Sequence, residues 1–180
     1  MGGLGKQLRD GVWGLARARA IAAELVAAGG KGGRVRALVG EMFGDDVETR
    51  KRAADVARRI SDRAPALLWP YADELAGLLA QLPVEESRTR WHLGLVVSRI
   101  AHTQPQRMRA ARAMLLLAED PSNVGCCSAV EGLGTLALAE PSLRDDAETM
   151  VERFLRDGTL AMKCRARNVR KMLAKRYGER

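Results

Sequence analysis

The 180 residues have a mass of 19.6 kDa, the size of one domain or one short repeat array. Apolar residues make up 47% and charged residues 29%, which is not the composition of an obviously disordered chain and leaves enough apolar side chains for a core. The net charge is +8, aromatic residues are only 4%, and Ala, Leu and Arg are frequent, so we expect an all-α protein. No run of about 18 uncharged apolar residues occurs, so we expect no membrane span.

The cysteines and the N-terminal charges indicate a cytoplasmic protein. Cys126 and Cys127 are adjacent and Cys164 stands alone, so the three thiols form no disulfide framework. That is usual in a reducing cytosol. Arg9 and Asp10 interrupt the apolar run that a secretory signal would need.

The first 33 residues predict an N-terminal cap. Residues 6–28 have the length of one long helix, and a glycine-rich connector at 29–33 follows it. The connector lacks the Ser or Thr that follows the lysine of a P-loop, and no strand precedes it. We therefore interpret it as a flexible link rather than a phosphate cradle.

Residues 34–158 predict stacked helix pairs, because proline and glycine breaks separate apolar segments of helical spacing. The helix 34–43 pairs with the cap helix, and the later pairs are 46–62 with 66–82, 84–103 with 105–118, and 122–140 with 143–157. Acidic pairs at 45–46, 85–86 and 145–146 mark helix starts, where carboxylates cap free N–H groups. Residues 159–180 hold a basic closing helix over 159–177, which completes a single domain of residues 1–180.

Three segments of the chain repeat in register. Arg50–Pro65 aligns with Arg90–Pro105 at a shift of 40 residues, and Cys126–Pro141 follows at a shift of 36. Each copy ends in a proline that precedes a shorter helix. Periods of roughly 36–47 residues with two helices each indicate an αα solenoid.

These repeats resemble HEAT-repeat, or armadillo-like, units. Asp46–Ile60, followed by Pro65 and by Trp69-Pro70-Tyr71, resembles a HEAT unit, with an Asp near the start of its first helix and a proline before its second. Cys164–Leu173 resembles the basic helix that often closes such arrays. The resemblance extends over about residues 34–177, and it implies a right-handed αα superhelix of about nine helices.

The resemblance also implies a binding surface. In HEAT arrays the second helix of each pair lines the concave face. Here that face would carry side chains of both charges: Asp73, Glu74, Arg109, Arg112, Glu148, Glu152 and Arg156. We therefore expect a non-catalytic scaffold that binds another protein, of unknown identity, through this concave surface.

The C-terminal charge supports an alternative, which is nucleic-acid binding. Residues 158–180 carry eight basic residues and one acidic residue, whereas 121–157 carry three basic and seven acidic residues. The side chains that would pair with phosphates are Lys163, Arg165, Arg167, Arg170, Lys171, Lys175 and Arg176. Because the acidic segment lowers their potential, we expect at most weak, non-specific binding to duplex DNA, with a Kd of roughly 10⁻⁴–10⁻⁶ M.

The sequence predicts no catalytic, cofactor or metal site. His92 and His102 are ten residues apart, without the Cys or Asp cluster of a metal site. We interpret Trp69, Tyr71 and Trp91 as core residues, with exposed binding hot spots as the alternative. A glycosylase-like enzyme that acts on DNA is a further alternative, and it would need an Asp and aromatic side chains together in a groove.

Overall fold

The computed structural model describes residues 3–178, and in this range the chain forms helices and turns without any β-strand. The all-α prediction is confirmed. The ten α-helices of this range are α1 (Leu4–Arg9), α2 (Leu15–Ala27), α3 (Arg34–Met42), α4 (Val47–Arg63), α5 (Ala72–Gln81), α6 (Ser87–Ile100), α7 (Gln104–Leu117), α8 (Asn123–Ala139), α9 (Arg144–Asp157) and α10 (Leu160–Tyr177). Short 3-10 turns cover Lys31–Gly33, Pro65–Tyr71 and Pro141–Leu143.

Side-chain caps fix the starts of α4 and α7. The carboxylate of Asp46 accepts hydrogen bonds from the backbone N–H groups of Glu48 and Thr49, both at 3.3 Å. Thr103 and Gln106 form a capping box, in which each side chain accepts from the other residue's backbone N–H at 3.3–3.4 Å. Such caps satisfy backbone donors that have no partner inside the helix, so they define where each helix begins.

The predicted capping by the acidic pair at 85–86 is wrong. The N-cap residue of α6 is Glu86, whose side chain makes no cap hydrogen bond and instead forms an ion pair with Arg50 of α4. The helix begins at Ser87, three residues later than predicted. Asp145 and Asp146 lie in the first turn of α9, where the helix dipole favours carboxylates.

The even-numbered helices α2, α4, α6, α8 and α10 pack side by side in chain order, and we call them the even row. Each of them contacts the next member of the row. The odd-numbered helices lie against the row, with α3 against α4, α5 against α6, and α7 and α9 against α8. Short connections make neighbours in sequence neighbours in space, and one apolar core extends along the stack.

The N-terminal cap consists of two helices, which corrects the prediction of a single helix over 6–28. The chain breaks at Gly11, whose backbone adopts φ +73°, and α2 begins after its N-cap residue Gly14. Glycine adopts this left-handed conformation at little steric cost. Arg17 of α2 donates two hydrogen bonds to the Gln7 carbonyl oxygen, the shorter at 2.7 Å, and so joins the two helices. The expected nine helices become ten within residues 3–178.

Two glycines allow the helices of the even row to approach closely. A Cβ atom at Gly94 of α6 would lie 2.7 Å from Leu117 Cδ2 and would clash with Ser128 Oγ of α8. A Cβ atom at Gly134 of α8 would clash with Val169 of α10. The even row is therefore packed too tightly at these points for any larger side chain.

We expect Gly94→Ala to lower the free energy of unfolding by about 1–3 kcal/mol, because the added methyl group overpacks the α6–α8 contact. Gly77 of α5 is the matched control, since nothing lies within 4 Å of a Cβ atom there. Gly77→Ala should raise the free energy of unfolding by about 0.5–1 kcal/mol through helix propensity alone. Urea unfolding measures both values, and an equal gain in the two variants would contradict the close packing.

Candidate functional site

An open cavity of about 530 Å³ lies on the even row, among α2, α4 and α6. Five cationic side chains, two carboxylates and two indole rings line it. Its charged and ring-bearing residues are Trp13 just before α2, then Glu48, Lys51, Arg52, Asp55, Arg58 and Arg59 of α4, and Arg88, Trp91 and His92 of α6. The volume falls within the range of about 300–1,000 Å³ that is typical of small-ligand sites.

Helical spacing brings the charged residues of α4 to this cavity. Positions 48, 51, 52, 55, 58 and 59 recur at three- and four-residue intervals, which places their side chains on one side of a helix. The apolar residues of α4, among them Val56 and Ile60, are fully buried on the other side. The segment that folds as α4 therefore supplies both a core stripe and a charged wall.

The carboxylates of the cavity are each shared by two cations. Asp55 lies 2.9 Å from Arg59 and 3.7 Å from Arg58, and these distances join carboxylate oxygen to guanidinium nitrogen. Glu48 pairs in the same way with Lys51 at 2.5 Å and with Arg52 at 3.0 Å.

Arg88 of α6 is the fifth cation of the cavity. It is exposed, and within residues 3–178 no carboxylate lies within 4.0 Å of it. The cavity therefore carries more positive than negative charge.

A guanidinium group lies near each of the two indole rings. Arg52 Cζ is 5.4 Å from the ring centroid of Trp13, and Arg58 Cζ is 5.9 Å from that of Trp91. The imidazole ring of His92 stacks on Trp91 with a centroid distance of 4.4 Å. The two cation–π contacts, each worth about 0.5–1 kcal/mol at exposed sites, keep the planar guanidinium groups beside the planar indole rings.

Three polar nitrogens of the cavity residues are buried without a hydrogen-bond partner in the described part of the chain: Arg58 Nε, Arg59 Nε and His92 Nδ1. Buried polar groups in native proteins are nearly always paired with protein or with ordered water, so these three nitrogens need a partner such as water or a ligand. Burial lowers the pKa of His92 to about 4; nearby Arg58 and Arg59 act in the same direction and Asp55 opposes them. His92 is therefore neutral at pH 7.

The stability of the fold should depend on His92 below pH 6.5. In the unfolded chain the pKa of a histidine is about 6.5, so between pH 6.5 and about 4 the unfolded state binds more protons than the folded state. The free energy of unfolding then falls as the pH is lowered through this window. We expect His92 to account for up to roughly 3 kcal/mol of that loss.

The measurement is urea unfolding of the wild type and of His92→Gln at several pH values. The variant should have a flatter pH profile between pH 5 and pH 6.5, because glutamine does not titrate. Identical slopes for both proteins would contradict the burial of a neutral His92.

The residues predicted on a concave surface fall into two groups. On α5 and α7, Asp73 and Arg109 form an ion pair, while Glu74 and Arg112 are exposed. The other three residues, Glu148, Glu152 and Arg156, belong to α9.

The α9 members of the predicted set are engaged with residues of α9 and α10. Glu148 accepts from Arg144 Nε at 2.6 Å, Glu152 pairs with Arg170 of α10, and Arg156 pairs with its neighbour Asp157 at 3.0 Å. These carboxylates therefore face basic side chains of the same protein.

The predicted phosphate-binding residues of α10 are partly paired. Arg165 lies 2.7 Å from Glu131 of α8, and Arg170 pairs with Glu152 of α9. Among residues 3–178 no carboxylate lies within 4.0 Å of the other five, Lys163, Arg167, Lys171, Lys175 and Arg176. The expected neutralisation of α10 by the acidic segment thus holds for two of its seven cations.

A second groove, of about 640 Å³, lies between α9 and α10. Glu148 and Glu152 supply its acidic side chains and Arg170 and Lys171 its basic ones. These charges balance, whereas the cavity of the even row has five cations against two carboxylates. The cavity of the even row is therefore the stronger candidate for a charged ligand.

The three thiols differ in exposure. Cys126 is buried, with its Sγ 3.1 Å from the Asp120 carbonyl oxygen, Cys127 is half-buried, and Cys164 is exposed. Burial raises the pKa of Cys126 and of Cys127, which lowers their reactive thiolate fraction. We expect a thiol reagent in native buffer to label Cys164 first and the other two only on unfolding. Rapid native labelling of all three, measured by mass spectrometry, would contradict this order.

The interpretation of two tryptophans as core residues is wrong. Trp91 is half-buried and lines the cavity, and Trp69 is 40% exposed, with its ring stacked on His102 at a centroid distance of 4.8 Å. Trp13 and Asp55 were not predicted as site residues, and the structure brings them together with Trp91. An Asp beside aromatic rings is the combination that could not be assembled from sequence alone.

No protein-family model, curated protein or solved structure matches this chain. In residues 3–178 no helix is long and apolar enough to cross a bilayer. The same residues contain no group of three or more His, Cys, Asp or Glu side chains that could hold a metal ion. The chemistry of the cavity is therefore the main guide to function.

Proposed function

We propose that this protein binds nucleic acid through the cavity on the even row. We propose binding without catalysis, because Asp55, the acid that the glycosylase-like alternative would use, is paired with Arg58 and Arg59. The observation that carries the proposal is the combination of two indole rings and five cations in one open cavity. Proteins that bind nucleic-acid strands without sequence preference combine a basic groove, which follows the phosphates, with aromatic side chains on which bases stack. The cavity offers both features within three adjacent helices.

The charge of the cavity suits a polyanion. Because Glu48 and Asp55 are each shared by two cations, they neutralise only part of the positive charge around them. Arg88 has no acidic partner within the described residues, and Lys51 keeps about a third of its side chain exposed. Arg88 can therefore turn toward a phosphate oxygen directly, and Lys51 can do so by leaving the Glu48 carboxylate, which Arg52 still holds.

The exposed basic residues of α10 form a second positive region on the even row. The order of contacts in the even row places α2 and α10 at opposite ends, so a strand that crosses the row would pass from the cavity toward α10. The exposed cations of α10 would raise the rate of encounter and add phosphate contacts. We assign them an auxiliary role, since α10 has no ring in the cavity.

The test is a titration of fluorescently labelled single-stranded and duplex oligonucleotides, followed by anisotropy. Phosphate contacts from Lys51 and Arg88 to a single strand predict a loss of about 7-fold in affinity between roughly 50 and 200 mM salt. We expect single strands to bind more tightly than duplexes. Absence of binding to either at about 50 mM salt would contradict the proposal, and release of a free base would contradict its non-catalytic part.

A protein-binding scaffold is the second candidate, and an apolar surface on α7 favours it. Met108, Leu115 and Leu116 are exposed by 36%, 42% and 66%, and the same helix carries Arg109 and Arg112. Exposed apolar side chains beside arginines are typical of protein interfaces.

The scaffold can be tested by introducing a photocrosslinking amino acid at position 116 in cells. A discrete adduct of higher mass is expected there and not at the control position 80, an exposed alanine of α5. Equal labelling at both positions would count against a specific partner on α7.

A right-handed αα superhelix of the HEAT or armadillo type is the architecture that we propose for the stack. The contact order of the even row and the proline-ended repeats support it. A crystal structure tests the hand of the stack, and a left-handed or closed arrangement would contradict the proposal.

A further inference from the structure

We infer that the cavity on the even row takes an unpaired base of a single-stranded nucleic acid, an inference that rests on the proposed function. The base would stack against Trp13 or Trp91, and the adjoining phosphates would pair with Arg88 and Lys51. The cavity would thus select strands whose bases are not already stacked in a duplex.

The first support is the pair of ring platforms. A nucleobase is flat and aromatic, and it stacks on indole rings and on guanidinium planes. The cavity presents both, because Arg52 lies over the ring of Trp13, and Arg58 and the stacked His92 lie beside that of Trp91. An incoming base would stack beside these groups or take the place of a guanidinium group on a ring. No other described part of the chain combines two tryptophans in one cavity, since Trp69 lies elsewhere and stacks on His102.

The second support is the set of buried polar atoms without partners. A base edge carries hydrogen-bond donors and acceptors, which an apolar slot could not satisfy. Arg58 Nε, Arg59 Nε and His92 Nδ1 are buried and unpaired, and all three belong to residues that line the cavity. His92 is only 7% exposed, so a ligand that reached it would meet a neutral imidazole held in a fixed position.

The third support is that the paired charges of the cavity are nearly buried, whereas an unpaired positive charge is exposed. Arg59 and Asp55 are nearly buried and form one pair, with side chains exposed by 13% each. Arg88 is exposed at the cavity surface. A ligand with a neutral flat part and an anionic part would match this arrangement. Its neutral part would lie deep in the cavity beside the Arg59–Asp55 pair, and its phosphate would lie at the surface beside Arg88. A duplex would keep its bases paired and would offer only phosphates.

The decisive experiment uses the wild-type protein and two labelled strands of equal length and charge. One is a thymidylate strand of about 12 nucleotides, within the usual site sizes of roughly 4–16 nucleotides, and the other is the corresponding abasic strand. We expect the thymidylate strand to bind about 5- to 150-fold more tightly than the abasic strand, as measured by anisotropy. Equal affinity for both would overturn the base site and leave the proposed phosphate binding standing.

Two variants test whether the preference for the thymidylate strand arises at the cavity. The double variant Trp13→Ala with Trp91→Ala removes both ring platforms, so it should abolish the preference for the thymidylate strand and leave the affinity for the abasic strand unchanged. Trp69→Ala is the matched control, because Trp69 lies outside the cavity, and it should keep the full preference. Loss of preference in both variants, or in neither, would overturn the inference, and failure of every strand to bind would overturn the proposed function itself.

Discussion

Asp120→Ala is expected to lower the free energy of unfolding by about 3–5 kcal/mol, because it leaves a buried arginine without its counterion. The Asp120 side chain is fully buried, and its Oδ2 lies 2.7 Å from Arg90 Nε. Arg90 also donates to the Leu82 carbonyl oxygen at 2.6 Å, and Asp120 Oδ1 accepts from the Ser122 backbone N–H at 2.8 Å. This network joins α6 to the α5–α6 connection at Leu82 and to the α7–α8 connection at Asp120 and Ser122, so its loss loosens both connections together.

The neighbouring Glu119 provides a matched control. Its ion pair with Arg153 is exposed, with 69% of the Glu119 side chain accessible. Exposed pairs contribute about 0–1 kcal/mol, so Glu119→Ala should change the free energy of unfolding by no more than that. Urea unfolding of both variants decides the matter, and equal small effects would show that the Arg90–Asp120 pair is not a structural centre of the fold.

Reversing two charges at the cavity, Lys51→Glu with Arg88→Glu, should weaken single-strand binding on the order of 100-fold at low salt. Two charge-assisted contacts to phosphate are lost and two carboxylates are placed where phosphates would lie. The dependence of log Kd on log salt should also become shallower by about one unit for each lost contact. Anisotropy titrations across a salt series measure both quantities.

The control for this prediction has the same change in net charge. Arg167→Glu with Lys171→Glu alters two exposed cations of α10 that lie outside the cavity. We expect a smaller loss, of roughly 10-fold, since only long-range attraction and auxiliary contacts are affected. A larger loss of affinity in the α10 variant than in the cavity variant would place the binding site on α10, which is the alternative that the sequence suggested.

Much of the helix order could be predicted from the sequence because its signals are local. Helical spacing of apolar residues and the breaks at Pro65 and Pro105 depend on neighbours within a few positions, and the helices α4, α7 and α8 begin and end close to the predicted residues. The break between α1 and α2 was missed, although Gly11 and Gly14 are a local signal for it.

The cavity could not be predicted because it depends on helices distant in sequence. Trp13, Asp55 and Trp91 come from three separate segments, and only the packing of α2 on α4 and of α4 on α6 brings them together. The charged stripe of α4 was visible in the sequence, but a charged stripe alone is more often a solvated helix face. What distinguishes this one is the tryptophan on each side, which no local pattern reveals.

The most direct test of the proposed site is to map which residues of the protein contact a bound single strand. A single strand containing 5-iodouracil, which crosslinks to nearby aromatic side chains under near-ultraviolet light, can be bound, irradiated and digested with trypsin. Trp13, Trp91 and Trp69 fall in separate tryptic peptides, 10–17, 91–99 and 64–88. We expect crosslinks in the peptides 10–17 and 91–99. Crosslinks confined to 64–88, or to the peptide that begins at Tyr177, would contradict it.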